Sequence, residues 1–185
     1  KAAWKLMRDI GVVTLPITRD NKLEGLITIA DIATSYMDVH DSTTLSTART
    51  VCKNIVETLD GALIIGDEEH VFDRGKVLVA AANPDLMESY IRMGDIVILG
   101  NRYESQLCAI EMQAGCIVVC EGAPVSMTIK KLAVENHCTI ISTPHDTFTA
   151  SRLINQSVPI SFFMRTEGLI TFSTEAYTDE VRQVM

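Results

Sequence analysis

The sequence predicts an α/β protein, in which α+β elements at both ends enclose an α/β domain with a largely parallel sheet. Two observations predict this class. Along the middle of the chain, short apolar runs alternate with helix-length segments, which is the pattern of buried parallel strands covered by helices. Near the start of the chain, two strand-like runs flank a short polar turn, which is the pattern of an antiparallel hairpin.

The bulk composition indicates a folded protein and excludes two classes of partner. The chain has 185 residues, of which 47% are hydrophobic, and this is enough to bury a substantial core. With 24 acidic against 16 basic residues the net charge is −8, which disfavours general binding to nucleic acids. No apolar run approaches the roughly 20 residues that cross a bilayer. We therefore expect a cytoplasmic protein with neither nucleic acid nor membrane as a partner.

The cysteine pattern argues against a metal site. There are five cysteines, an odd number without any C-x-x-C spacing, so the sequence favours reduced thiols over zinc ligands. We expect no metal and no other cofactor in this segment, and a reducing compartment. The cysteines are Cys52, Cys108, Cys116, Cys120 and Cys138, of which the last three lie in or beside apolar runs.

The first part of the chain predicts helix, strand, strand and helix. The helix covers residues 1–8, the strands 12–17 and 23–28, and the second helix 29–37. Residues 38–47 are polar and rich in Ser and Thr, which is typical of a linker. The chain begins inside a helical pattern and ends where another helix starts, so we expect it to be a segment of a longer protein.

The rest of the chain predicts a strand and helix alternation. A helix with apolar residues at helical spacing covers about 51–59. After residue 168 we predict a strand, a turn and a capped helix. Between them we predict strands over 62–65, 76–82, 95–99, 116–120 and 139–142, and helices over 85–93, 103–114, 126–137 and 146–155.

One corner of the sequence has the chemistry of a ribose site. Thr28 and Asp31 place a hydroxyl and a carboxylate where the second strand becomes a helix. The free N–H groups at a helix start favour hydroxyl and phosphate oxygens. The alternative is that both residues cap the helix, which requires no ligand.

The run Gly25-Leu26-Ile27-Thr28-Ile29-Ala30-Asp31 resembles the end of the second strand in the CBS domain, a nucleotide-sensing repeat. The resemblance implies that Thr28 and Asp31 contact the ribose of adenosine. Residues 168–181 are similar to the opening of a second repeat. The resemblance implies that Thr28 and Asp31 bind the ribose. It implies that the adenine is bound by Thr14, Leu15, Pro16 and Ile17 and, from the second repeat, by Thr171.

Two strand-to-helix corners lie in the middle domain. In Leu99-Gly100-Asn101-Arg102-Tyr103-Glu104, Asn101 is predicted to cap a helix, and Arg102 could bind an anion or pair with Glu104. In Thr143-Pro144-His145-Asp146-Thr147-Phe148-Thr149, Asp146 or Thr147 is predicted to cap the next helix. His145 beside Asp146 invites a catalytic interpretation, but the sequence places no Ser or Cys nucleophile for it.

Both corners resemble the DRTGG domain, whose strand end carries Gly-Asp-Arg and whose later corner carries Thr-Pro-x-Asp-Thr-Phe-Thr. Asn101 replaces the family's Asp, and residues 119–124 stand where its Thr-Gly-Gly lies. The resemblances imply three parts: a CBS repeat without its first strand over 1–40, a DRTGG-type domain with linker over 41–167, and the start of a second CBS repeat over 168–185.

This order of domains resembles the regulatory insert of CBS-containing, manganese-dependent family II inorganic pyrophosphatases of clostridial type. The resemblance implies a homodimeric module without catalytic residues of its own. It would bind AMP, ADP or diadenosine tetraphosphate and control a manganese-dependent catalytic domain outside this segment. Two alternatives stay open: a ligand-sensing and dimerisation module of a CBS/DRTGG transcription regulator, and a dimerisation scaffold without nucleotide binding.

Overall fold

The structure is a computed structural model that describes residues 2–37 and 41–184. The helices are α1 (Ala2–Ile10), α2 (Ile29–Met37), α3 (Thr44–Thr47), α4 (Cys52–Thr58), α5 (Pro84–Tyr90), α6 (Tyr103–Glu111), α7 (Met127–Glu135), α8 (Thr147–Leu153) and α9 (Thr178–Val184), with 3₁₀ turns at Ile154–Ser157 and Ile160–Phe162. The strands are β1 (Thr14–Arg19), β2 (Lys22–Thr28), β3 (Thr50–Val51), β4 (Ala62–Ile65), β5 (Val71–Phe72), β6 (Val77–Val79), β7 (Ile96–Leu99), β8 (Cys116–Val119) and β9 (Thr139–Ser142).

The chain forms two compact units. The hairpin unit contains the described residues 2–35 and 163–184, and the sheet unit contains those between 36 and 162. The hairpin unit is thus built from both ends of the chain. None of the helices within residues 2–37 and 41–184 has the length and apolar character needed to cross a membrane.

The hairpin unit is organised by the antiparallel pair β1 and β2. Asp20 and Asn21 connect them with φ of 50° and 61°, the backbone of a two-residue type I′ turn that Asp and Asn tolerate well. Beside the turn, Arg19 pairs with Glu24 at 3.1 Å. Met7 from α1 and Ile27 from β2 are each 1% exposed, so the hairpin contributes to a buried core.

A third segment pairs with β2 on the side away from β1. The backbone N–H of Leu26 donates to the carbonyl oxygen of Arg165 at 2.9 Å, and the N–H of Arg165 donates back at 2.8 Å. Leu26 also faces Pro16 in β1. Since Leu26 directs its backbone N–H and carbonyl groups toward Arg165, the residue opposite it in β1 forms no backbone hydrogen bond with it. Proline, which has no N–H, is suited to such a position. Pro16 therefore fits β1 without loss of a hydrogen bond.

The sheet unit contains a five-stranded sheet with the order β4-β9-β8-β7-β6. Strands β6, β7, β8 and β9 are parallel to one another, and β4 is antiparallel to β9 at one edge. All residues of β7 and β8 are buried. A parallel sheet covered on both faces requires such uniformly apolar strands.

Helices cover both faces of this sheet. Alternate strand residues such as Val97 and Ile117 share a core with α5, α6 and α7. The residues between them, such as Ile98 and Val118, share a second core with α4 and α8. The alternation follows from the two-residue period of a strand. This architecture confirms the predicted α/β class and its largely parallel sheet.

Several elements are shorter than predicted, such as β6, which covers Val77–Val79 of the predicted 76–82, and the structure also differs from the prediction in three other places. Residues 168–173 form no strand and are mostly exposed, and the chain pairs earlier, at Arg165. The predicted linker contains α3, because Leu45 is buried there, with 1% of its surface exposed. Residues 38–40 of that linker lie outside the described residues. The short antiparallel pair of β3 with β5 was not predicted, since strands of two residues leave no periodic pattern.

Candidate functional site

Thr28 and Asp31 bind each other at the start of α2. The backbone N–H and the hydroxyl of Thr28 donate to Oδ2 of Asp31 at 2.8 and 2.7 Å. In return, the N–H of Asp31 donates to Oγ1 of Thr28 at 3.2 Å. This reciprocal pattern is a capping box, in which Asp takes the place of the more usual Glu. The structure thus realises the capping role that the sequence left as one of two interpretations.

The second oxygen of Asp31 is bound by an arginine from the other end of the chain. Nε and Nη2 of Arg165 donate to Oδ1 of Asp31 at 3.2 and 3.1 Å. The side chain of Asp31 is 15% exposed, whereas that of Arg165 is 65% exposed. An ionised carboxylate offers about four acceptor positions. Thr28 and Arg165 together therefore occupy the whole acceptor capacity of Asp31.

These contacts determine the charge of Asp31. The hydrogen bond from the Thr28 hydroxyl, followed by that from the Thr28 backbone and the charge of Arg165, lowers the pKa of Asp31, although partial burial acts in the opposite direction. Hydrogen bonds to the charged form favour that form. Asp31 is therefore an ionised acceptor at neutral pH, which is the state that can accept hydrogen bonds from sugar hydroxyls.

The structure brings most of the other predicted binding residues to the same hairpin. Thr14 in β1 lies opposite Thr28, and Ile17 lies opposite Gly25. Thr14 is exposed, Ile17 is half-buried, and Leu15 is 9% exposed. Pro16 is also exposed. Among the described residues β1 pairs with β2 alone, so the hairpin presents one backbone edge without a strand partner beside the Thr28–Asp31 corner.

Thr171 belongs to the hairpin unit but lies outside any strand and is exposed. Its predicted position in a strand is wrong, because residues 168–173 form no ladder with β1 or β2. The contact of Thr171 with a ligand stays a prediction.

Arg165 is not among the site residues that the sequence predicts. It lies 134 residues from Asp31, and only the tertiary fold brings the two together. One weak signal exists in the sequence: Arg165 is the only charged residue between Arg152 and Glu167. A lone charge in an otherwise uncharged stretch of this length is a reason to look for a partner.

The first corner of the sheet unit differs from its prediction. Helix α6 begins at Tyr103 and its N-cap is Arg102, without a side-chain cap, so the prediction that Asn101 caps the helix is wrong. The carbonyl oxygen of Arg102 accepts the N–H of Gln106 at 3.2 Å, which starts the helix after Arg102. The Arg102 guanidinium donates to the carbonyl oxygen of Ala82 at 3.4 Å.

The second corner follows its prediction. Asp146 caps α8 by accepting the N–H of Thr149 at 2.9 Å. His145 does not form a pair with Asp146: its Nε2 lies 3.2 Å from Oδ2 of Asp60, near the end of α4. This arrangement joins two loops of the sheet unit and gives His145 a structural contact.

A separate cleft of about 520 Å³ lies at the amino ends of the parallel strands. Its wall includes His70, Arg74, Gln113 and His137. Arg102 and His145 do not line it, because both follow the carboxyl ends of strands. The residues that the sequence indicated in the sheet unit therefore do not converge on this cleft.

Comparison with known proteins supports the resemblances found in the sequence. The model of the DRTGG domain matches residues 54–157. The chain is 39% identical over its whole length to the cobalt-dependent inorganic pyrophosphatase of Clostridium perfringens, of which it covers 34%. It is 25% identical over 97% of its length to a probable manganese-dependent inorganic pyrophosphatase of Thermotoga maritima, of which it covers 33%. The chain thus spans about a third of the length of these curated relatives.

A solved structure matches the fold as well. The crystal structure of the CBS and DRTGG domains of the regulatory region of the Clostridium perfringens pyrophosphatase, complexed with the activator diadenosine tetraphosphate, is 38% identical to this chain. The TM-score is 0.94, and the match covers all of this chain and 80% of that one. The predicted resemblance to a CBS and DRTGG regulatory region is therefore confirmed. Since the domain model matches more than half of its residues, the chain belongs to the DRTGG domain family.

Proposed function

We propose that this chain is the nucleotide-binding regulatory region of an inorganic pyrophosphatase whose catalytic domain lies outside it. One observation carries the proposal: the whole chain matches, with a TM-score of 0.94, a regulatory region that was crystallised with its activator. The sequence identity of 38% extends the likeness beyond the fold alone. The predicted domains over 1–40, 41–167 and 168–185 are part of this proposal, although residues 163–167 lie in the hairpin unit.

The hairpin unit carries the nucleotide site in this proposal. Thr28 and Asp31 hold the ribose, because they place a hydroxyl and an ionised carboxylate side by side at the start of α2. The adenine lies against the exposed backbone edge of residues 14–17 and the segment around Thr171. The phosphates then lie near the first turn of α2, where the helix dipole favours negative charge.

Regulation requires that the ligand binds two arrangements of the protein with different affinity. A tenfold preference corresponds to about 1.4 kcal/mol, which one charged hydrogen bond can supply. We propose activation by diadenosine tetraphosphate, and a homodimer in which its two adenosine groups occupy two nucleotide sites. AMP and ADP carry a single adenosine group and would occupy one site each.

The metal belongs to the catalytic domain in this proposal. Among the described residues, no group of three or more His, Cys, Asp or Glu side chains is arranged to hold a metal ion. The two pyrophosphatase relatives are named as cobalt-dependent and manganese-dependent, so we propose manganese or cobalt for the parent enzyme. The five unpaired buried cysteines support a reducing, cytoplasmic location.

The test is calorimetric titration of the full-length parent protein with AMP, ADP and diadenosine tetraphosphate, alongside an assay of phosphate release from pyrophosphate. We expect micromolar binding and faster hydrolysis with diadenosine tetraphosphate. Asp31→Ala should weaken binding and shift the activation curve to higher ligand concentration. Asp9→Ala is the matched control, because it removes an exposed carboxylate from the same unit.

Each outcome has a distinct meaning. Binding that Asp31→Ala weakens and Asp9→Ala does not would support the proposed ribose site. Binding without any change in hydrolysis would favour a sensor of another activity. If no adenine nucleotide binds to the parent protein, the proposal fails, and a dimerisation scaffold becomes the better account.

A further inference from the structure

The exposed guanidinium of Arg165 is attached to a rigid backbone. Its N–H and carbonyl oxygen both pair with Leu26, at 2.8 and 2.9 Å, while 65% of its side chain is exposed. The side chain can therefore change partner without any change in the strand pairing that positions it. Side-chain rotation of an exposed residue takes place within nanoseconds.

The present partner of this guanidinium is the carboxylate that a ribose would need. Both Arg165 contacts end on Oδ1 of Asp31, and both Thr28 contacts end on Oδ2. Ribose hydroxyls bind to a carboxylate as donors, and they require acceptor positions on it. Because Thr28 belongs to the capping box of α2, the exposed Arg165 is the donor that can leave at the lower cost.

We propose that Arg165 is the residue that selects phosphorylated ligands at this site. In this structure Asp31 holds the guanidinium; when ribose hydroxyls take its place on Oδ1, the guanidinium turns to the phosphate of the same ligand. The inference rests on the proposed function, since it assumes a ribose on Asp31. It adds a residue and an exchange of partners that would make a nucleotide bind better than a nucleoside.

The charge of the site favours this exchange. The chain carries a net charge of −8, and a nucleotide brings further negative charge next to Asp31. Within the part of the chain that the structure describes, Arg165 is the cation paired with Asp31. A nucleoside displaces Arg165 and gives it no new partner, whereas a nucleotide gives it a phosphate, which guanidinium groups bind through paired N–H donors.

The experiment compares adenosine with AMP by titration calorimetry of the full-length parent protein and its Arg165→Ala and Arg165→Lys variants. We expect Arg165→Ala to weaken AMP binding about tenfold and to leave adenosine binding unchanged or tighter, because Asp31 no longer has to release a cation. Arg165→Lys should fall between, since it keeps the charge but loses the paired donors. Arg19→Ala is the control, as it removes another exposed arginine from the hairpin unit.

The outcomes separate this inference from the proposed function. If Arg165→Ala weakens AMP and adenosine equally, Arg165 only orients Asp31, and the inference is overturned while the ribose site stands. Unchanged binding of both ligands also overturns it. If Asp31→Ala binds both ligands as well as the parent does, the ribose site itself is refuted, and the inference is refuted with it. Circular dichroism of each variant checks that the unit remains folded.

Discussion

Gly25 packs directly beneath Arg165. A β-carbon at position 25 would lie 2.9 Å from the carbonyl oxygen of Arg165 and 2.7 Å from the sulfur of Met164. Real side chains do not tolerate such distances, and the nearest backbone atom cannot move without loss of the pairing with Leu26. The glycine of the run that resembles the CBS motif thus has a mechanical role: it lets the third segment approach β2.

Gly25→Ala should therefore destabilise the hairpin unit, by about 1–3 kcal/mol as is usual for overpacking. Trp4, the only tryptophan in the chain, lies in α1 of this unit and reports its unfolding by fluorescence during a urea titration. Gly100→Ala is the matched control, because no atom lies within 4 Å of a β-carbon there. Equal midpoints for the two variants would contradict the packing argument.

Removal of the Thr28 hydroxyl should weaken the start of α2. Thr28→Val loses the hydroxyl that donates to Oδ2 of Asp31 and accepts the N–H of Asp31. Loss of an N-cap lowers the free energy of unfolding by about 1 kcal/mol. Thr28→Ser keeps the hydroxyl and should restore most of the stability. The same fluorescence titration measures both variants. A valine variant as stable as the parent chain would show that the hydroxyl of Thr28 does not stabilise the start of α2.

The capping carboxylates should make stability fall in acid. The backbone N–H of Thr149, followed by its hydroxyl, lowers the pKa of Asp146 below its ordinary value of 3.8. A lowered pKa in the folded state means that the stabilisation is complete above the ordinary value and is lost as the pH falls through the lowered one. Asp31 follows the same rule, with the Thr28 hydroxyl as the largest cause.

We therefore expect Asp146→Ala to have a lower unfolding midpoint than the parent chain at pH 7, and the gap to narrow as the pH falls below 3.8. Asp73→Ala, which removes an exposed carboxylate that pairs with the neighbouring Arg74 and caps no helix among the described residues, should show no such convergence. Circular dichroism at a series of pH values follows both. A gap that stays constant into acid would rule out the charged cap.

The cysteines should be unreactive in the folded protein. All five are free and buried. Burial raises the pKa of Cys52 and Cys120 to about 11 and that of Cys138 to about 12, and only the thiolate is a good nucleophile.

At pH 8 a disulfide reagent such as dithionitrobenzoate should label the native chain slowly, and all five thiols at once after denaturation. Cys108, the most exposed of the five at 5%, should be the first to react. Fast labelling of any thiol other than Cys108 would contradict the described burial.

Most of the sheet unit could be predicted because its central strands β7 and β8 are uniformly apolar and helix α8 begins at a side-chain cap. The strands at Ala62–Ile65 and Thr139–Ser142 begin and end where the apolar runs do. The cap at Asp146 follows from residue type alone. The antiparallel direction of β4 was not predicted, because strand direction depends on the path of the chain and leaves no mark in the apolar pattern.

The local part of the candidate site could be predicted from the sequence, and the long-range part could not. The local pair of Thr28 and Asp31 is visible in the sequence, since their spacing is that of one helical turn. Arg165 is not, because a contact between residues 134 positions apart is decided by the fold as a whole. The prediction of a strand after residue 168 was wrong for a related reason. A strand requires a neighbouring strand, and in this part of the chain the residue that pairs with β2 is Arg165, which pairs with Leu26.

The placement of Arg165 on Asp31 also constrains the order of events during folding. In an unfolded chain, closing a loop of 134 residues costs an entropy whose logarithmic part amounts to about 4 kcal/mol. Nearly all of that loop is the sheet unit, which is synthesised before residue 163 and can fold as soon as it leaves the ribosome. Its folding replaces a long flexible loop by a compact body. We therefore expect the ion pair of Asp31 with Arg165 to be among the last contacts of this chain to form, after the sheet unit has folded.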